Sequence, residues 1–178
     1  GPEQGSEPIL FLFPVGLTFY PGHFYKKGAK LVTYRGERYI PTAKTKNLLL
    51  GYIAYRGAVK HKAIDAILID KENNIREGTR SSFFVIQGDT LIIPPKDKTL
   101  EGVTKKIILD IASNVMNIQE KNIPLRDIAK YDEYFISGTT LNIMPINGID
   151  DIVLGGGVGE KVKKLQSLYK SYCANKFI

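Results

Sequence analysis

Ala63-Ile64-Asp65-Ala66-Ile67-Leu68-Ile69-Asp70, followed after a polar stretch by Ser82-Phe83-Phe84-Val85-Ile86-Gln87-Gly88-Asp89-Thr90-Leu91-Ile92-Ile93-Pro94-Pro95, decides the fold class of this chain. The first run is short, branched and apolar, which suits a buried strand, and Lys71-Glu72-Asn73-Asn74 ends it as a turn. The second is a hairpin: two apolar runs joined across Gln87-Gly88-Asp89 and stopped by the paired prolines. Outward from this centre the period changes. Asn47 to about His61 carries apolar residues at Leu48, Leu49, Ile53 and Ala54 and reads as a helix, its terminal lysines at the negative end of the dipole. Gly102-Val103-Thr104 opens a second helix with Ile107, Ile108, Ile111, Ala112 and Val115 on one stripe. Residues 124–128 read as a short helical turn, and a last helix spans Glu160 to about Cys173. Strands are expected at Ala29–Tyr34, Tyr134–Ile136, Asn142–Ile146 and Ile152–Leu154, with a break at Asn147-Gly148. Ile9 to Val15 reads as a further, buried strand. The sum is a mixed α/β domain, with no internal repeat and no low-complexity tract.

Composition narrows the class of function. At 178 residues, with 43% hydrophobic and 24% charged residues, the chain has the material for one real core and lies far from disorder. The net charge of +7 comes from lysines scattered through periodic segments, so it marks neither a nucleic-acid nor a membrane-binding block. A single cysteine, Cys173, excludes an intrachain disulfide and a cysteine zinc cluster and fits a reducing, cytosolic setting. Apolar runs are too short to span a bilayer, and His23 and His61 lack the spacing of metal ligands.

The chemistry concentrates in a few places. Gly102-Val103-Thr104 and Gly138-Thr139-Thr140 place glycine and hydroxyl residues at loop junctions, where backbone amides converge on anions. Lys44 sits in Pro41-Thr42-Ala43-Lys44-Thr45-Lys46-Asn47, and Glu77 stands in a glycine-rich turn. Taken singly, each has a plain structural reading: Lys44 as a solvated loop lysine, Glu77 as a turn glutamate, the threonines as caps or strand residues, Arg38 and Tyr39 as a surface and a core residue.

Together they resemble the class IV (fold-type IV) pyridoxal-phosphate aminotransferases. Lys44-Thr45-Lys46-Asn47-Leu48-Leu49 resembles the family's cofactor-lysine segment, and Glu77-Gly78-Thr79-Arg80-Ser81-Ser82-Phe83-Phe84 its Glu-Gly-Ser/Thr-x-x-Asn motif. Leu91 to Pro95 is similar to its Leu-x-Thr-Pro-Pro segment, Leu100 to Lys105 to its Leu-x-Gly-Ile-Thr-Arg segment, and Asp132 to Thr140 to its closing glycine-threonine turn. Ser82, Ile93 and Lys105 depart from the asparagine, threonine and arginine usual there, which bears on substrate subtype. The resemblance implies a carboxyl-terminal pseudo-barrel of strands flanked by helices. It further implies Lys44 as Schiff-base lysine and proton shuttle, and Glu77 against the pyridine nitrogen. Val103, Thr104 and Thr139 would hold the cofactor phosphate, Gly138 and Thr140 the substrate carboxylate, and Arg38 would face the cofactor.

The activity so implied is transamination of a branched-chain or similar small amino acid with a 2-oxo acid such as 2-oxoglutarate. D-amino-acid aminotransferase and aminodeoxychorismate lyase are the alternatives within the family. On this reading residues 1–23 are a tag-like start, a remnant strand of a missing amino-terminal domain and a linker, and 24–178 the pyridoxal-phosphate-binding large domain. The full-length parent would be a homodimer. A truncated, non-catalytic fragment is the alternative from another class.

Overall fold

The structure is a computed structural model and describes residues 9–14, 16, 19–155 and 158–176. In chain order the elements are α1 (Gly22–Lys27), β1 (Ala29–Arg35), α2 (Leu49–Lys60), β2 (Asp65–Ile69), β3 (Asn74–Gly78), β4 (Ser82–Gln87) and β5 (Thr90–Ile93). Then come α3 (Val103–Ala112), β6 (Asn117–Glu120), β7 (Ile123–Pro124), β8 (Glu133–Gly138), β9 (Asn142–Ile149), β10 (Ile152–Val153) and α4 (Glu160–Lys176). Short 3-10 turns cover Lys96–Lys98 and Leu125–Lys130.

Six strands close into a ring in the order β4-β8-β9-β1-β2-β3 and back to β4. β1 lies parallel to both its neighbours, β2 and β9, while the other four joints of the ring are antiparallel. β5 and β6 extend the sheet beyond β4, and β7 extends it beyond β3. Closure gives the fold a filled interior, because every ring strand alternates its side chains between two faces. Leu31, Ile67, Ile69, Ile75, Phe83, Val85, Ile136, Met144 and Ile146, drawn from all six strands, form one buried cluster inside the ring.

The outside of the ring is covered on two sides. Phe84 and Phe135 stack with centroids 4.5 Å apart and join Ile108 and Ala112 of α3 and Val162, Leu165 and Tyr169 of α4. Val32, Ala66 and Leu68 pack on Ala54 and Ala58 of α2. The expected pseudo-barrel, helices and central hairpin are therefore present.

Several local expectations are corrected. Ile9 to Phe13 are between 76% and 87% exposed and form no strand, so the buried strand read from this apolar run is absent over its described residues; Val15 lies outside them. A strand needs a partner edge, and no described strand pairs with this segment. β9 continues past Asn147-Gly148, where a break was expected, but it bulges there: Ala29 pairs with Ile146 and Lys30 with Gly148, which leaves Asn147 as the extra residue. There Asn147 Nδ2 donates to the Lys27 carbonyl at 2.8 Å, so the polar side chain serves as a tie to the α1–β1 junction. β3 and β6 were not anticipated at all.

Candidate functional site

The site is built where β3 meets β4. Ile69 pairs with Ile75 and Ile67 with Gly78, so two steps along β2 span three along β3. Such a bulge re-aims side chains. Glu77 consequently stands opposite Ser82, which in turn stands opposite Ser137 of β8, and directly opposed residues of antiparallel strands project to the same face. Glu77, Ser82 and Ser137 thus form a polar row on the face that Phe84 and Phe135 present to α3 and α4.

Two segments converge on Glu77. Its side chain is 7% exposed; Oε1 lies 3.4 Å from Arg38 Nη1, and Oε2 accepts the Leu100 amide at 3.1 Å. Arg38 also donates from Nη2 to the Ala43 carbonyl, one residue before Lys44. The lysine segment is thereby tied to the acid through one guanidinium. Burial pushes the Glu77 carboxyl above the usual carboxylate range, while the Leu100 amide, Arg38 and Lys105 pull the other way.

Leu100 leads into the amino end of α3. Gly102 is the N-cap and no side chain caps the helix, so its first amides retain free donor capacity. A Cβ added at Gly102 would lie 3.7 Å from Ser82 Oγ, which places this helix end over the polar row. On the other side, a Cβ at Gly138 would lie 3.3 Å from the Arg80 carbonyl, so the turn after β8 adjoins the turn after β3. That turn closes with the Leu141 amide on the Gly138 carbonyl at 3.1 Å and leaves Thr139 and Thr140 exposed.

The residues named from sequence therefore gather by segment. Arg38 touches Glu77, Gly102 faces Ser82 opposite that acid, and Gly138 adjoins the Arg80 carbonyl in the turn that follows it. Lys44 lies in the loop between β1 and α2, exposed, beside the Ala43 carbonyl that Arg38 grips. Val103 is exposed, whereas Thr104 is buried.

Three residues of the neighbourhood were not read from sequence as members of the site. Lys105 is 4% exposed, with Nζ donating to Thr99 Oγ1 at 2.9 Å. Its place on the α3 stripe, three and seven residues before Ile108 and Ala112, was the available signal. Asp65 is fully buried and accepts from Thr79 Oγ1 at 2.5 Å and Ser81 Oγ at 2.8 Å, which pins the turn that follows Glu77. Gly78 is needed in that turn: a Cβ there would fall 2.0 Å from Ser81 Oγ. Ser137 Oγ is buried and unpartnered within the described residues, an orphan that marks the row as a ligand-facing surface more than a packed seam.

One outer row of the closed α/β barrel thus carries a buried acid, an uncapped helix end and an orphaned hydroxyl. Comparison with known proteins takes this to a family. The model of amino-transferase class IV matches residues 1–149, and the chain belongs to that family. A Methanocaldococcus jannaschii protein assigned as a branched-chain-amino-acid aminotransferase is 31% identical over 95% of this chain and 60% of its own length. A D-alanine aminotransferase of Listeria monocytogenes is 30% identical over 75% of this chain and 47% of its own. The solved branched-chain amino acid aminotransferase of Escherichia coli superposes with a TM-score of 0.74 at 23% identity, over 89% of this chain and 55% of that one. The chain thus spans about half of the length of these relatives.

Proposed function

We propose that this chain, from about residue 24 onward, is the cofactor-binding domain of a pyridoxal-phosphate-dependent aminotransferase. The observation that carries the reading is the convergence on Glu77, which joins the lysine segment through Arg38 and the amino end of α3 through Leu100. The residues present fit the cofactor: uncapped amides suit a phosphate, and a buried acid suits a ring nitrogen that must stay protonated. Pyridoxal phosphate, when bound, supplies a conjugated ring that draws electrons from the substrate α-carbon and loosens its proton.

The protein's own groups would do the rest. Lys44 would hold the cofactor covalently and carry the proton to and from the substrate. Glu77 would keep a proton on the pyridine nitrogen. The Val103 and Thr104 amides, with the Thr104 and Thr139 hydroxyls, would hold the phosphate. Gly138 and Thr140 would offer amides to a substrate carboxylate, and Arg38 would keep the Lys44 loop against the acid.

The substrates on this reading are a branched-chain or similar small amino acid and a 2-oxo acid such as 2-oxoglutarate. Names among the relatives favour the branched-chain subtype, and the D-alanine aminotransferase makes stereochemistry the first thing to assay. Residues beyond this chain's share of its relatives' length would complete the pocket, in a homodimer and in a reducing cytoplasm. No described helix is long and apolar enough to cross a membrane.

The test adds pyridoxal phosphate to the purified chain and follows absorbance, borohydride trapping and mass. A trapped adduct on Lys44, absent from Lys44→Ala, is expected. Absence of any adduct, or one that persists in Lys44→Ala, leaves the chain as a non-catalytic fragment and overturns the reading.

A further inference from the structure

Burying an ammonium group costs several kcal/mol unless hydrogen bonds and opposite charge offset it. Lys105 sits on the inward stripe of α3, and among the described residues it forms no direct ion pair. Its hydrogen bond goes to Thr99 Oγ1, and Thr99 in turn reaches the Pro95 carbonyl at 3.3 Å. Thr99 is the residue before Leu100, whose amide holds Glu77 Oε2. The cation is therefore joined to the acid by a short path through one hydroxyl and one peptide group.

We propose that Lys105 is the positioning residue of Glu77: through Thr99 it fixes the segment whose Leu100 amide holds the carboxylate, and it adds a second positive charge, after Arg38, to the surroundings of that carboxylate. Arg38 alone is a weak partner, since its contact with Glu77 is 3.4 Å long and its side chain is 23% exposed. Burial lowers the Lys105 ammonium, and Glu77 is the strongest of the carboxylates that raise it again, ahead of Glu120 and Glu101, with Lys96 opposing them. Glu77 is faced by Arg38 from the loop after β1, by the Leu100 amide, and by Lys105 from α3.

The functional meaning of this link rests on the reading of Glu77 as the partner of the pyridine nitrogen; the link itself is open to test without cofactor. In the ligand-free chain carrying 13C-labelled glutamate, the Glu77 carboxyl is followed by NMR through a pH titration, with Glu77→Gln as the assignment control. Lys105→Met moves the Glu77 midpoint to higher pH, and Lys105→Arg restores it. Thr99→Val, which keeps the charge and removes the hydroxyl, moves it by less. Pyridoxal phosphate affinity falls by about tenfold in Lys105→Met, the size expected when one neighbouring charge is removed.

A Lys105→Met protein that melts earlier yet titrates at Glu77 as the wild type does makes Lys105 a packing residue and overturns the proposal. Should Lys105→Met fail to fold, Thr99→Val decides: an unchanged midpoint with unchanged affinity overturns it equally. A shifted midpoint in a chain that takes up no pyridoxal phosphate supports the link and sinks only the cofactor reading.

Discussion

Arg76 and Glu77 are neighbours at the β3 bulge, yet they enter two carboxylate–arginine pairs of opposite character. In the first, the Arg76 guanidinium grips Asp70 through Nη2 and, at 2.7 Å, through Nε, and reaches Asn122 Oδ1 at 2.7 Å; both partners are 5% exposed. Burial works against the Asp70 carboxylate, but the Asn74 amide and Arg76 outweigh it and hold the carboxyl below its usual range. In the second pair, Glu77 meets Arg38 only at 3.4 Å, and burial leaves its carboxyl above the usual range. The first acid is satisfied by the protein itself. The second keeps unmet electrostatic demand, as an acid awaiting a cationic ligand would.

That contrast can be broken at either end. The largest effect is expected from Arg76→Met, which strands a buried Asp70 and costs about 3–5 kcal/mol in urea unfolding; a loss under ~1 kcal/mol would show the pair to be replaceable. Acidification acts next. Because the folded-state value of Asp70 is depressed, its contribution is intact above the unfolded value near ~3.9 and disappears as pH falls through the folded one. Melting followed downward from pH 5 should show this loss in the wild type, and a flatter profile in Asp70→Asn.

Glu77 has the opposite sign. With a raised folded value, its stabilising share is present below the unfolded value and is lost as pH rises through the folded one. Glu77→Gln should therefore raise the neutral-pH melting temperature of the ligand-free chain, by about 2–4 °C, while cofactor binding is lost; a lower melting temperature would mean that Arg38 and Lys105 already offset the burial. Arg38→Met should give the smallest change in stability, under ~1 kcal/mol, because the contact is long and partly solvated. Its effect should appear instead in the rate of borohydride trapping at Lys44.

The same two pairs show why some of the molecule was legible and some was not. β2 and the β4–β5 hairpin announce themselves, since their branched and aromatic residues are both the local signal and the core. β3, read as turn and loop, is Asn74-Ile75-Arg76-Glu77-Gly78: wholly buried, but with partners at residues 38, 70, 100 and 122 that no local window contains. β6 fails for the opposite reason, as all four of its residues are exposed at the sheet edge and show no apolar alternation. Ile9–Phe13 had the pattern without the partner. At the site, Glu77 and the two glycine turns were named from the motifs that contain them, and Arg38 from its place just ahead of Lys44. Lys105, noted only as a departure from the usual arginine, and Ser137 were given no role at the site, because a buried polar residue looks, in sequence, like any surface one.

The ring order of the barrel has a consequence for synthesis. β1 is flanked by β2 and by β9, and more than a hundred residues separate it from Ile149 at the end of β9. Until the ribosome has delivered that residue, the nascent β1 carries a bare edge of unpaired amides and carbonyls, and the apolar lining is open along one side. Final sealing must therefore wait for β9, and a ribosome stalled before that point would hold out a sticky half-barrel, the natural client of a chaperone that shields strand edges.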